Sequence, residues 1–289
     1  MNIRDIIGQG KVTLSYEVFP PKTTHDFASV EKATLEIAKL KPSFMSVTYG
    51  AGGGASEHTI AIAEKLMKQE GVTSLAHLTC ISSGKVEIDN IIHILKEKKI
   101  YNILALRGDR TEQMPSMKEG SFRYAYELVE EIKKKGDFCV GGACYPEGHV
   151  EASSKEQDII HLKQKVEAGC DFLTTQMFFD NNILYNYLYR IREKDITVPV
   201  IAGIMPVTNA KQIKRICTLS GTVLPPRFRA IVERFGENPQ AMKQAGIAYA
   251  TEQIIDLIAN GVNAIHVYSM NKPEVAAEIK NNLSEIIDS

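Results

Sequence analysis

The sequence predicts an α/β fold: a single (β/α)8 TIM barrel with extra helices near its C-terminus. Three observations predict it. Short apolar runs rich in Val, Ile, Phe, Thr or Tyr recur eight times along the chain. Longer stretches with apolar residues at helical spacing lie between them. No Gly-x-Gly-x-x-Gly follows the first run, which weighs against an open doubly wound sheet, the main rival. Strands alternating with helices imply parallel strands joined by right-handed crossovers, and eight units of about 30 residues suit closure into a barrel.

The elements follow in order. The first run, residues 14–20, precedes an amphipathic stretch at 27–40. Runs at 44–49, 74–80 and 102–107 precede helical stretches at 57–69, 87–98 and 122–135. Runs at 138–145, 172–179 and 198–206 precede stretches at 156–167, 183–194 and 210–219. Each run is too short for a typical helix and carries β-rich residues. Residues 221–238 are rich in Pro and turn formers and read as a connection, followed by a long helical stretch at 239–260. The eighth run, 264–270, leads into a terminal helix at 273–287, with Pro273 in its first turn. No Pro/Gly/Ser-rich linker divides the chain, so residues 1–289 read as one catalytic domain.

Composition narrows the function. The 289 residues are 44% hydrophobic and 24% charged, an ordinary globular balance. A formal net charge of −1 supplies no field toward nucleic acid or anionic membrane, so neither is expected as a partner. Residues 1–11 are polar and hold no signal-peptide apolar segment, and no run approaches the length of a transmembrane helix. Cys80, Cys139, Cys144, Cys170 and Cys217 are odd in number and never spaced Cys-x-x-Cys. A reduced, cytoplasmic setting is expected, rather than a disulfide framework or a zinc site.

Polar residues gather where the runs end. The first ends Tyr16-Glu17-Val18-Phe19-Pro20-Pro21, and the second ends Thr48-Tyr49-Gly50-Ala51-Gly52-Gly53-Gly54. The third carries His77 and Thr79, and the fourth ends Leu106-Arg107-Gly108-Asp109. The fifth ends Ala143-Cys144-Tyr145-Pro146-Glu147-Gly148-His149, and the sixth carries Thr175, Gln176 and Phe178. In a barrel these ends converge on the face that carries catalysis. Six consecutive strands ending this way are hard to explain by packing alone.

These motifs resemble those of methylenetetrahydrofolate reductases. The resemblance rests on Tyr16-Glu17-Val18-Phe19-Pro20-Pro21-Lys22, Ser46-Val47-Thr48-Tyr49-Gly50-Ala51-Gly52, Ala76-His77-Leu78-Thr79-Cys80 and Leu104-Ala105-Leu106-Arg107-Gly108-Asp109. It continues in order through Tyr145-Pro146-Glu147-Gly148-His149, Lys165-Val166-Glu167-Ala168-Gly169, Thr174-Thr175-Gln176-Met177-Phe178-Phe179-Asp180 and Gly203-Ile204-Met205-Pro206-Val207. It covers residues 14–272, and the chain is similar to the short bacterial form that carries no C-terminal regulatory domain. The implied activity is reduction of 5,10-methylenetetrahydrofolate to 5-methyltetrahydrofolate, by ping-pong hydride transfer through FAD. The reductant would be NADH, NADPH or a redox protein. A homo-oligomer is expected.

Each site residue also has a plainer reading. Glu17, on an otherwise apolar strand, is either a structural carboxylate paired with a cation or a partly desolvated general acid. The resemblance gives it the acid's role in opening the folate imidazolidine ring. Asp109 is either a turn former or, by resemblance, a carboxylate beside flavin and pterin. His77 and His149 could be satisfied core or loop histidines, and Lys165 a solvated surface lysine. The resemblance instead places FAD contacts at Thr48, Tyr49, Ala51, His77, Arg107, Gly108, Asp109, Ala125, Tyr145, His149, Ala152, Asp158 and Lys165. No second His or Cys stands at ligand spacing, so no metal is expected. Gln176, an amide inside an apolar strand, needs partners; the resemblance has it read the pterin edge, with Gln212 as a second substrate contact. Two positions depart from a common bacterial pattern. Ile216 stands where a substrate-stacking Phe is usual, and Lys272 where an Arg holds the folate tail. Lys272 would hold a carboxylate as a point charge rather than a fork. Ile216 leaves open an alternative, a flavoprotein subunit of an electron-transfer complex served by a non-nicotinamide donor through a partner subunit.

Overall fold

The computed structural model describes residues 1–21, 26–49, 55–81, 83–109 and 121–287. Among these, eight parallel strands close into a barrel in sequence order, each beside the next and the last beside the first. The strands are β1 (Thr13–Val18), β2 (Met45–Val47), β3 (Ser74–Thr79), β4 (Asn102–Leu106), β5 (Cys139–Cys144), β6 (Phe172–Thr175), β7 (Val200–Ile204) and β8 (Ala264–Tyr268). The expected (β/α)8 barrel is the fold observed.

Helices wrap the outside: α2 (Phe27–Ala38), α3 (Ala55–Gln69), α4 (Lys85–Glu97), α5 (Ala125–Lys135), α6 (Lys155–Glu167), α7 (Asn181–Arg192), α8 (Ala210–Ser220), α10 (Pro239–Ala259), α11 (Pro273–Asn282) and α12 (Ser284–Ile287). Two further helices were not expected. Residues 221–238 are not simply a connection, since they contain α9 (Pro226–Phe235). Its buried Phe228 and Val232 stand four apart on one face and pack with Met177, Phe179, Val207, Ile213 and Met242. At the N-terminus a short α1 (Ile3–Ile7) precedes β1.

Helix α1 closes the bottom of the barrel. Its Ile3 and Ile6 join Phe44, Leu75, Leu104, Cys139, Phe172 and Ile201 in one apolar cluster. Asn102 fixes it there, accepting a hydrogen bond from the Ile3 N–H at 3.0 Å and donating to the Met1 carbonyl at 3.2 Å. Phe172 fills the barrel where β5 offers no side chain: a Cβ on Gly141 would stand 2.4 Å from the Phe172 ring. Burying such a ring contributes roughly 1.5–3 kcal/mol. The bottom is thus packed with apolar side chains, and the opposite end is left for chemistry.

Strand register stacks the functional residues. Glu17 lies opposite Ser46 on one side and Tyr268 on the other. His77 lies opposite Leu104, and Ser15 opposite His266. Because side chains alternate along a strand, Ser15 and Glu17 face inward at successive heights.

Candidate active site

The C-terminal ends of the strands open into a cavity of about 660 Å³. Glu17, Thr48, Tyr49, His77, Arg107, Gly108, Asp109, Tyr145, His149 and Gln176 line it. Ala125, Ala152, Asp158, Lys165, Gln212 and Lys272 do not. Ala51 lies outside the described residues.

Glu17 sits deep in this cavity. Its Oε2 is 3.7 Å from His77 Nε2, with the two side chains 21% and 7% exposed. Burial pushes the Glu17 carboxyl up to about 8. Burial likewise pulls His77 down to about 3. At neutral pH the pair is therefore a carboxylic acid beside a neutral imidazole, rather than an ion pair. The His77 Nε2 is buried and has no hydrogen-bond partner among the described residues.

A second imidazole lies below. His266 Nδ1 is 2.8 Å from Ser15 Oγ, and its Nε2 is 3.0 Å from Ser46 Oγ. Ser15 Oγ already gives its proton to the Ile265 carbonyl at 2.9 Å. It must then accept from Nδ1–H, which leaves Nε2 to accept from Ser46. Burial first, then His77, lowers His266 to about 3, so this ring is neutral and locked in one tautomer. Above it, the Tyr268 hydroxyl donates to the Thr175 carbonyl. A Cβ on Gly203 would stand 2.3 Å from that hydroxyl, so the absent side chain makes the room.

The rim is polar. Arg107 grips Glu151 with both terminal nitrogens, at 2.7 and 2.6 Å, and this pairing raises the guanidinium's pKa. Gly108 adopts φ +89°, and a Cβ there would stand 2.9 Å from Ile81 Cγ2. Only Gly suits that turn, which carries the chain to exposed Asp109. Tyr145 meets His149 edge to face at 4.7 Å. Burial raises the Tyr145 hydroxyl and lowers His149. His149 Nδ1 accepts from the Glu151 N–H at 3.1 Å, which orients the ring.

The side chains of Gln176, Lys165 and Lys272 have protein partners. Gln176 Oε1 accepts from the Met177 N–H at 2.9 Å, satisfying part of its amide locally. Lys165 Nζ donates to the Ala143 carbonyl at 2.6 Å, behind the cavity wall. Nearby Asp158 is raised by burial, against the pull of Lys165. Gln212 is exposed in the first turn of α8, whose N-cap Asn209 accepts its N–H at 3.0 Å. Lys272 Nζ donates to Thr208 Oγ1 at 2.6 Å, tying the loop after β8 to the loop after β7. Ile216 packs against the Phe228 cluster.

A buried acid beneath a ring of polar strand ends narrows the chemistry without settling lineage. The family model described as methylenetetrahydrofolate reductase matches residues 2–284. The chain belongs to this family. It is 33% identical over 300 residues to methylenetetrahydrofolate reductase (NADH) 1 of Arabidopsis thaliana, covering 99% of this chain and 51% of that one. It therefore spans about half the length of that plant relative. It is also 33% identical over 277 residues to 5,10-methylenetetrahydrofolate reductase of Pectobacterium carotovorum, covering 95% of this chain and 91% of that one. A Clostridium thermocellum protein described as binding two copies of 5-methyl-5,6,7,8-tetrahydrofolic acid shares the fold. Its TM-score is 0.65 at 16% identity, with 100% of this chain and 99% of that chain covered.

For a methylenetetrahydrofolate reductase family member, four features of the site escape the sequence reading. Glu151 partners Arg107 from a loop with no pattern of its own. His266 and Tyr268 alternate along an apolar run, and that period of two was the available signal. Thr174 lines the cavity with its Oγ1 buried and unpartnered among the described residues. In β6 it looks like an ordinary β-branched strand residue.

Proposed function

We propose that this chain is a flavin-dependent methylenetetrahydrofolate reductase. It would convert 5,10-methylenetetrahydrofolate to 5-methyltetrahydrofolate in two half-reactions at one FAD, with Glu17 as general acid. The observation that carries the reading is the placement of Glu17: a carboxyl at the base of the mouth, 3.7 Å from the buried His77 imidazole, where burial pushes its pKa up to about 8. Family membership and the folate-named relatives support the substrate class.

The residues present fit the cofactor. The cavity of about 660 Å³ is lined by strand-end residues from all round the barrel, Glu17 and Thr48 through Gln176 to Met205 and Tyr268. Arg107 supplies a rim cation, and Gly108 leaves the backbone bare for close approach. A buried polar atom in the lining, Thr174 Oγ1, has no hydrogen-bond partner among the described residues. Thr48, Tyr49, His77, Arg107, Gly108, Asp109, Tyr145 and His149 would hold FAD, with Ala51, Ala125, Ala152, Asp158 and Lys165 assigned to it by resemblance. When bound, FAD supplies the two-electron chemistry.

The protein supplies the proton. Glu17 donates its carboxyl proton to a nitrogen of the folate imidazolidine ring, and the ring opens to an iminium able to accept hydride. Asp109 accepts hydrogen bonds from pterin N–H groups and stabilises the cationic charge that develops. Gln176 reads the pterin edge, Gln212 adds a second contact, and Lys272 attracts a carboxylate of the folate tail. NADH is the first donor to try, since it stands in the Arabidopsis relative's name. NADPH and a redox protein are the other two donor classes.

The test is direct. The purified protein is yellow in this reading, and heat or acid releases FAD that co-elutes with authentic FAD. Anaerobic addition of NADH, NADPH and a reduced redox protein in turn identifies the donor by bleaching. Release of FMN, or no affinity for any flavin, sinks the proposal. Bleaching only by a redox protein moves the chain to the alternative, an electron-transfer subunit doing the same folate chemistry.

A further inference from the structure

We propose that His77 is a positioning residue for the Glu17 proton, its Nε2 accepting the carboxyl hydrogen bond until a substrate nitrogen replaces it. This rests on the reading of Glu17 as the acid. It differs from the flavin contact that the resemblance assigns to His77, because it concerns what His77 does to a second protein side chain.

The geometry carries it. The Glu17 Oε2 and His77 Nε2 atoms are 3.7 Å apart inside the barrel. That is beyond a formed hydrogen bond, and a small rotation of the carboxyl closes it. Nε2 is fully enclosed and has no hydrogen-bond partner among the described residues. A buried ring nitrogen without a partner is costly, so its retention calls for a use. The nearest titratable group that can serve it is Glu17.

The surroundings fix which way the proton runs. For His77 to accept at Nε2, it must be neutral, and burial keeps it so. A cationic imidazole would instead ionise Glu17 and abolish the acid. Beneath it, burial keeps His266 neutral, with Ser15 and Ser46 bonded to its two ring nitrogens, so no imidazolium lies below the pair. The wall beside the acid carries Tyr268, whose hydroxyl is committed to the Thr175 carbonyl. Among the described residues, His77 Nε2 is a buried acceptor with no other hydrogen-bond partner, and it faces the Glu17 carboxyl.

The step balances without a further reactant. At rest the bond is O–H···N, with the proton on Glu17. When substrate enters, that O–H bond breaks and an N–H bond forms on the folate nitrogen. His77 ends as it began, neutral, having oriented the carboxyl and taken no charge. After turnover Glu17 regains a proton from solvent.

A double-mutant cycle tests it, with His77→Leu, His77→Gln and Glu17→Gln read by stopped flow and by the infrared band of the protonated carboxyl. The Gln amide keeps an acceptor at similar reach. Losing one neutral hydrogen bond should slow the folate half-reaction about 10-fold in His77→Leu. His77→Gln should recover most of that rate. In the Glu17→Gln background, His77→Leu should slow folate reduction no further, because a residue acting through Glu17 is silent once Glu17 is gone. In the resting protein the Glu17 carboxyl band should move toward a free carboxyl in His77→Leu and stay hydrogen-bonded in His77→Gln. Additive losses, or a band unmoved by His77→Leu, would overturn the proposal and leave His77 a flavin contact. If His77→Leu does not fold, His77→Gln decides: a band at the free-carboxyl position overturns the idea. Wild-type protein unable to reduce the folate would sink the proposed function instead, and the infrared comparison would still report on the pair.

Discussion

Removing the proposed acid should make the protein more stable as well as less active, and the stability change should depend on pH in a defined window. Burial holds the Glu17 carboxyl at about 8 against its ordinary 4.5. The folded state therefore keeps a proton that the unfolded chain releases. The sign follows: a carboxyl raised on folding contributes stability that is complete below about 4.5 and is lost as pH rises to about 8. Each pH interval of one is worth about 1.4 kcal/mol, so at pH 7 the loss is about 3 kcal/mol. That figure is an upper bound, because 21% of the side chain faces the cavity. Glu17→Gln keeps the shape and cannot ionise. Urea unfolding of cofactor-stripped wild type and Glu17→Gln should give a stability difference that is constant below pH 4.5. The difference should grow in favour of the variant up to about pH 8 and then level off. A difference that does not change between pH 4.5 and 8 would refute the claim that burial keeps Glu17 protonated.

Three further outcomes are expected. Asp109→Asn should raise the flavin potential and weaken folate binding by about 1–3 kcal/mol, since an amide accepts pterin hydrogen bonds less well. A lower melting temperature with unchanged potential and affinity would make Asp109 a turn former only. Gly203→Ala should cost about 1–3 kcal/mol in urea unfolding, because its Cβ would drive the Tyr268 hydroxyl off the Thr175 carbonyl. An unchanged midpoint would show that the barrel wall yields there. Lys272→Met should raise the folate Kd about 10-fold and leave reduction by the donor untouched; equal binding in titration calorimetry would remove Lys272 from the substrate site.

The barrel was legible because its strands are buried on both faces and so read as continuous apolar runs. Leu14, Tyr16 and Val18 alternate with Ser15 and Glu17, which sets the first strand and its inward face at once. Helix α9 was not legible, since Pro225 and Pro226 read as turn formers. They serve instead as N-cap and first-turn residues, and the buried pair Phe228 and Val232 behind them was the missed cue. Helix α1 is five residues long, too short for periodicity to register, and tertiary packing under the barrel holds it. At the site, residues interrupting apolar strands stood out: Glu17, His77 and Gln176 all line the cavity. Residues identified by resemblance alone fared differently. Lys165, Gln212 and Lys272 stand outside the cavity lining, and the partners of Lys165 and Lys272 are protein oxygens. The layer beneath Glu17 is built from Ser15, Ser46 and His266, whose meaning appears only when β1, β2 and β8 are placed side by side.

The central claim is that Glu17 protonates the folate while electrons pass through a bound flavin. The most direct measurement is single-turnover reoxidation of the donor-reduced protein by 5,10-methylenetetrahydrofolate, followed anaerobically, in wild type and Glu17→Gln. Wild type should regain its oxidised flavin absorbance with formation of 5-methyltetrahydrofolate. The variant should accept electrons at the wild-type rate and then reoxidise about 10² to 10⁴ times more slowly. Failure of wild type to reoxidise on the folate, or reoxidation of Glu17→Gln at the wild-type rate, would contradict it.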